Sequence, residues 1–193
     1  MNMFGLKISV LILAVALGIV SPALAASNYE VDPVHSAIMF KIKHADAGYI
    51  WGRFGTFTGS ITVDEDNPEA SSVEFSVDAA SINTAVEDRD NHLRSPDFFG
   101  IEVHPEISFV STGLSTNEDG SYALTGDLSL LGVTKSVTAL LTQTGASEDP
   151  RRGSIVGYEA QFSIMRSDFG MDYGVPGIGD EVMVIINAQG ILQ

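Results

Sequence analysis

Polar and apolar positions alternate along most of this chain. Ser36, Ile38, Phe40, Ile42 and His44 fall on one face of an extended segment, and Ala37, Met39, Lys41 and Lys43 on the other. That period of two marks a strand with one largely apolar face. Further alternating or β-branched runs follow at 57–63, 73–77, 107–114, 122–130, 137–143, 155–165 and 182–188, giving about eight strands in all. The connections at 64–68, 116–120, 132–135 and 145–153 are rich in Gly, Asn, Asp and Pro, the residues that turns select. About eight antiparallel strands without intervening helices predict an all-β up-and-down barrel or a sandwich. A barrel of that size has an interior that side chains fill or that holds one small ligand.

One segment breaks the alternation. Thr84 followed by Glu87 matches a capping box, with His92 and Arg94 where the helix dipole favours cations. The pattern predicts a short helix over 85–94 that stops before Pro96, because the residue preceding a proline is biased toward extended backbone. Val86 and Leu93 share a face, so this helix can serve as a lid or plug. At its exit, Arg94-Ser95-Pro96-Asp97-Phe98-Phe99 sets charges beside two rings of roughly 150–250 Å² each, the composition of a pocket mouth. The stretch 170–180 holds four glycines and Pro176 without the strand–turn–helix context of a phosphate loop. It is expected to be a mobile rim connection.

Composition places the chain in a compartment. Lys7, the apolar run 8–20 and Ala23-Leu24-Ala25 have the form of a secretory leader cleaved after Ala25. The expected organisation is therefore a leader over 1–25 and one domain over 26–193, exported to the periplasm. Cysteine is absent, so the domain depends on its core rather than on disulfides, and lipidation of a cysteine is excluded. Ten basic residues stand against 25 acidic ones, a net charge of −15. That balance repels nucleic-acid phosphates and anionic headgroups, so neither nucleic acid nor stable membrane insertion is expected. An outer-membrane barrel is disfavoured by short strands, by the absence of an aromatic girdle and by Lys41, Lys43, Glu74 and Asp78 on polar strand faces.

Several landmarks occur together in order: Asp32-Pro33-Val34-His35-Ser36, His44, Gly55-Thr56-Phe57-Thr58-Gly59, Leu93 to Phe99, Pro105-Glu106-Ile107-Ser108-Phe109, Leu128 to Lys135, and Arg166-Ser167-Asp168-Phe169-Gly170. In combination they resemble the YceI family of exported bacterial proteins, from about Tyr29 to the C-terminus. The resemblance implies a lipocalin-like antiparallel barrel, usually periplasmic and often dimeric, whose long apolar cavity binds polyisoprenoids or other long-chain amphiphiles. The stretch Ala45 to Arg53, with Tyr49 and Trp51, falls where the family is variable, which leaves entrance shape and ligand identity open.

On this reading Ile38, Phe40, Ile42, Phe57, Val73, Phe75, Val77 and Phe109 line the cavity, with Leu93, Phe98 and Phe99 facing it from the helix and its exit. His44, Trp51, Arg94, Asp97 and Arg166 are candidates for the rim or a headgroup, since guanidinium forks suit phosphate, carboxylate or quinone oxygens. The alternative for Arg94 and Arg166 is a structural pair with Asp97 or Asp168.

His35, His44, His92 and His104 lack a zinc-type spacing, so neither metal nor cofactor is expected. Asp32, Ser36 and His44 supply the residue types of a hydrolytic triad without a nucleophile elbow. Lipid binding without catalysis is the reading favoured. A hydrolase or isomerase using the same pocket, and a filled-barrel interaction protein, are the alternatives. A strand edge or the rim aromatics could supply a homodimer contact.

Overall fold

A computed structural model of the chain describes residues 26–193; the expected leader and its cleavage site after Ala25 lie outside the described residues. The strands are β1 (Ser27–Val31), β2 (Ala37–His44), β3 (Gly48–Phe54), β4 (Phe57–Val63), β5 (Ser72–Asp78) and β6 (Ile82–Asn83), then, beyond the helix α1 (Glu87–Arg94), β7 (Glu106–Thr116), β8 (Tyr122–Leu130), β9 (Val133–Asp149), β10 (Gly153–Met165) and β11 (Ile178–Leu192). Hydrogen bonding runs β1-β4-β5-β7-β8-β9-β10-β11 and back to β1, closing an antiparallel barrel of eight strands. Closure leaves no free edge around that ring.

The long strand β11 joins the barrel to an extension. Its C-terminal end, Gly190–Leu192, pairs with β1, whereas Val182–Asn187 pair with β2, so β1 and β2 share one edge of β11. β3 then pairs with β2, and β6 with β3. The break between β1 and β2 is held by Asp32, whose carboxylate accepts from the Val34 amide at 2.9 Å and lies 2.5 Å from His35 Nδ1. Arg152 joins it at 3.3 Å.

Three strands, β1, β3 and β6, were not visible in the alternation. β1 and β6 are short. β3 occupies the stretch expected to be a variable entrance loop, because Gly48 and Gly52 disguise its period. Gly52 is required by packing: a Cβ there would sit 2.2 Å from Phe40 Cζ. The expected turn over 132–135 is tighter than its composition implied, with Leu131 and Gly132 at φ 54° and 75°. Two consecutive positive-φ residues match the twist of a short hairpin, so β9 begins already at Val133.

The helix exists but is capped differently. Val86, not Thr84, is the residue at its N-terminus, and no side chain caps it. Thr84 instead donates its amide and hydroxyl to the buried Asp90 carboxylate at 2.8 and 2.5 Å, while Ala85 takes a left-handed φ of 63°. The helix ends as expected before Pro96, with the Ser95 amide donating to His92 O at 3.0 Å.

Candidate functional site

Inward-facing positions of the barrel and the β2–β3 extension surround one continuous, mainly apolar cavity of about 960 Å³. Its walls include Ile38, Phe40 and Ile42 from β2, Val73, Phe75 and Val77 from β5, and Phe109 from β7. A cavity of this volume is at the upper end of ordinary small-ligand pockets. The barrel therefore has an open interior, not the solid core that was the alternative. Phe57 is the exception among the expected wall residues: it is buried beside Phe75, with ring centroids 6.5 Å apart, and does not reach the cavity surface.

The helix and its exit cover one end. Leu93, Phe98 and Phe99 face the cavity. Phe99 meets Phe54 edge-to-face at 5.7 Å, and Phe54 lies 5.8 Å from Phe40, which fastens the lid to the inner face of the hairpin. Beside this lid, His92, Phe98 and Tyr173 form an aromatic triangle with centroids 5.0–5.2 Å apart. Each such edge-to-face pair contributes roughly 0.5–1.5 kcal/mol. Tyr173→Ala is expected to speed ligand association and release by about tenfold with little change in equilibrium affinity. Stopped-flow mixing with a fluorescent fatty acid measures this, and unaltered rates would show that the triangle does not gate the opening.

The charged candidates are mostly structural. Arg94 does not pair with Asp97; its Nε and Nη2 donate to Ala80 O and Ile82 O at 2.8 and 2.9 Å, and Nη1 to Asn91 at 3.1 Å. It fixes α1 to β6. Asp97 instead meets His92 Nε2 at 2.9 Å, and neither Arg94 nor Asp97 borders the cavity. Trp51 also lies outside it, on the outer face of β3. His44 does border the cavity, near the tip of the hairpin.

Arg166 touches the cavity wall but offers no free fork. It is 2% exposed, and its guanidinium donates to the carbonyls of Gly179 (2.8 Å), Met171 (2.9 Å), Tyr173 (2.9 Å) and Ile178 (3.1 Å). Its expected partner Asp168 pairs with Lys135 at 3.6 Å. The connection 170–180, expected to be mobile, is thus pinned from within. Burial pushes the Arg166 guanidinium down, opposed by the nearby Asp180 and Asp172 carboxylates.

Asp180 clamps the same loop, accepting the Ser167 hydroxyl at 2.7 Å and the Ser167 amide at 2.9 Å. These bonds hold its carboxyl below the ordinary 3.8. A folded value below the unfolded one stabilises the protein fully above that unfolded value, and the contribution is lost as pH falls through the folded value. Asp180→Asn is therefore expected to flatten the acid limb of stability below about pH 4. Urea midpoints measured from pH 6 down to pH 2 check this; parallel curves for both proteins count against it.

Alternation along β10 and β11 places Tyr158, Phe162, Val184 and Ile186 on the inner wall, residues that the pattern could have supplied had inward faces been assigned for every strand. Burial pushes the Tyr158 hydroxyl up, aided by Tyr122 and Tyr29 nearby, so it remains a protonated donor inside the barrel. The triad residue types are not assembled: Asp32 engages His35, Ser36 Oγ accepts the Gln189 amide at 2.9 Å, and His44 lies at the opposite end of β2. Among the described residues no cluster of three potential metal ligands occurs, and no helix is long and apolar enough to cross a membrane.

The sequence profile of the YceI-like domain matches residues 29–190. A UPF0312 protein of Pseudomonas aeruginosa is 37% identical over 170 residues, covering 87% of this chain and 88% of the relative. Protein YceI of Escherichia coli is 35% identical over the same coverage. Among solved structures, BcnA of Burkholderia cenocepacia superposes with a TM-score of 0.75 at 21% identity, over 82% of this chain and 98% of its own. A polyisoprenoid-binding domain from Saccharophagus degradans, implicated in plant cell wall breakdown, does so with a TM-score of 0.66 at 16% identity, over 86% and 98%. At these identities the structural likeness concerns the fold.

Proposed function

Since this chain belongs to the YceI-like family, we propose that it is an exported periplasmic protein that binds a long-chain apolar amphiphile, a polyisoprenoid or isoprenoid quinone, for carriage, storage or protection. The observation that carries this reading is the open, mainly apolar interior of about 960 Å³. Burial of each CH₂ contributes roughly 0.8 kcal/mol, so one five-carbon isoprene unit contributes on the order of 3–4 kcal/mol before ordering costs. A few units give tight binding without any strong polar contact. That agrees with a wall whose two guanidiniums are already engaged, Arg166 by backbone carbonyls and Arg89 by the hydroxyl and carbonyl of Thr84. The likeness in fold to a polyisoprenoid-binding domain supports the same ligand class. Binding without turnover is favoured because Asp32, Ser36 and His44 stand apart.

Native mass spectrometry of protein purified from its own host, followed by organic extraction, tests the proposal. A co-purifying polyprenyl species is the expected result. A lipid-free protein that also fails to bind geranylgeraniol would overturn it. Osmotic-shock release of a chain beginning at Ala26 is the expected outcome for the exported domain of 26–193.

A further inference from the structure

We propose that the outer face of the β2–β3 hairpin docks this protein on an anionic phospholipid bilayer, placing one wall of the cavity beside the membrane. The purpose of that docking rests on the carriage reading above; the surface itself rests on the hairpin. Strand register sets Met39, Lys41 and Lys43 of β2 directly across from Arg53, Trp51 and Tyr49 of β3. Trp51 is 47% exposed and Tyr49 58%. Lys41 Nζ lies over both rings, 5.1 Å from the Tyr49 centroid and 5.4 Å from that of Trp51. Met183 and Ile185 of β11, paired with Lys41 and Met39, continue the outer face, and exposed Met165 of β10 extends it.

Single exposed apolar residues are ordinary, but a contiguous face of this kind marks a contact surface. Trp and Tyr partition to the headgroup level of bilayers, where one end of the ring is dry and the other wet. Lysine stems lie along apolar surface while their ammonium groups reach outward to phosphate.

Charge selects the partner. The chain carries 25 acidic and 10 basic residues, yet three of its cations meet on this one face. The acids on this face are Asp46 at the turn, 3.6 Å from Lys43, Glu181 on β11 and, further along, Glu159 on β10. Arg89, Arg94 and Arg166 are bound to protein acceptors, and Lys135 and Arg152 to carboxylates. Lys41 and Arg53 have no ion pair among the described residues, and the same is true of Arg151, which lies apart in the β9–β10 turn.

A second copy is the poorer occupant, because a two-fold contact would press the same three cations against themselves. The acidic remainder of the surface is held off an anionic bilayer, which orients approach through this face within a Debye length of about 8 Å. The inner side of the same two strands presents Ile42, His44 and Ile50 to the cavity, so docking sets this wall of the cavity against the membrane.

Trp51 is the sole tryptophan, which makes it an intrinsic reporter. The intact mature protein is mixed with phosphatidylcholine vesicles, with or without phosphatidylglycerol. A blue shift of Trp51 emission and co-sedimentation are expected only with phosphatidylglycerol present. Each cation near an anionic surface strengthens binding about fivefold, so Lys41→Gln with Arg53→Gln is expected to weaken it about 25-fold. Affinity of that variant for farnesol in the absence of vesicles is expected to be unchanged.

An unmoved emission maximum, or a double variant that binds vesicles like the wild type, overturns the proposal. A blue shift that tracks protein concentration without vesicles, together with a dimer mass in sedimentation, also overturns it and assigns the face to a second copy. Failure of the wild type to bind farnesol strikes the carriage reading alone, since vesicle docking is read separately.

Discussion

Ala160→Trp is expected to weaken geranylgeraniol binding a few hundredfold while the barrel stays folded. Ala160 lies on the inner face of β10, between Tyr158 and Phe162, opposite Ile186 on β11 and Leu141 on β9. An indole at this position projects into existing empty space, so the usual cost of overpacking a filled core does not arise. The ligand, however, loses the length of cavity that the indole occupies. Excluding one isoprene unit removes on the order of 3–4 kcal/mol, a factor of a few hundred in affinity. Titration by isothermal calorimetry checks the affinity and urea unfolding checks the fold. Unchanged affinity would mean that the ligand does not pass the middle of the barrel, and the carriage reading would fail with it.

Arg166→Met is expected to destabilise the protein by about 3–5 kcal/mol, the usual cost of breaking a buried charged network. Methionine approximates the aliphatic stem but leaves four carbonyls, those of Met171, Tyr173, Ile178 and Gly179, without their donor. Buried acceptors deprived of a partner retain their full desolvation penalty. In a domain of this size each kcal/mol corresponds to roughly 2–4 °C in melting temperature, so a fall of about 10 °C or more is anticipated. Arg166→Lys retains the charge but not the planar fork, and is expected to recover only part of the loss. Urea midpoints that did not move for Arg166→Met would show that the loop 170–177 is held by something else.

The two arginines show where local reading stopped. Arg94 and Arg166 each have an aspartate within three residues, and sequence proximity made an ion pair the natural structural expectation. Both instead reach backbone carbonyls brought close by folding: Arg94 across to β6, and Arg166 into its own connecting loop and the start of β11. Carbonyls carry no side-chain signature, so nothing in the order of residues could identify them as partners. The same limit applies to Thr84. Its position before Glu87 matched a cap, but Asp90, buried beneath the turn, competed successfully for its amide and hydroxyl.

Trp51 illustrates a different limit. Its segment lacks a clean alternating signal because Gly48 and Gly52 interrupt it, and Gly52 is demanded by the Phe40 ring on the neighbouring strand. The period was present in Ile50, Gly52 and Phe54 against Tyr49, Trp51 and Arg53, but only pairing with β2 revealed which set faced outward. A ring assigned to the entrance became part of an external face with Lys41.

By itself the sequence determined the class of the fold, most of the barrel strands, the short helix and its stop, and the residues of β2, β5 and β7 that share the apolar face. These follow from side-chain period and turn chemistry, both local along the chain. It also specified that no disulfide could hold the domain and that its net charge would be strongly negative. Only the tertiary structure decided that Ser27–Val31 closes the ring while β2 and β3 extend beyond it, that the interior stays open, and that Phe57, Trp51, Arg94 and Asp97 stand outside the cavity. Closure, volume and the choice of hydrogen-bond partner depend on which distant backbones meet, and alternation along a single strand contains no information about that.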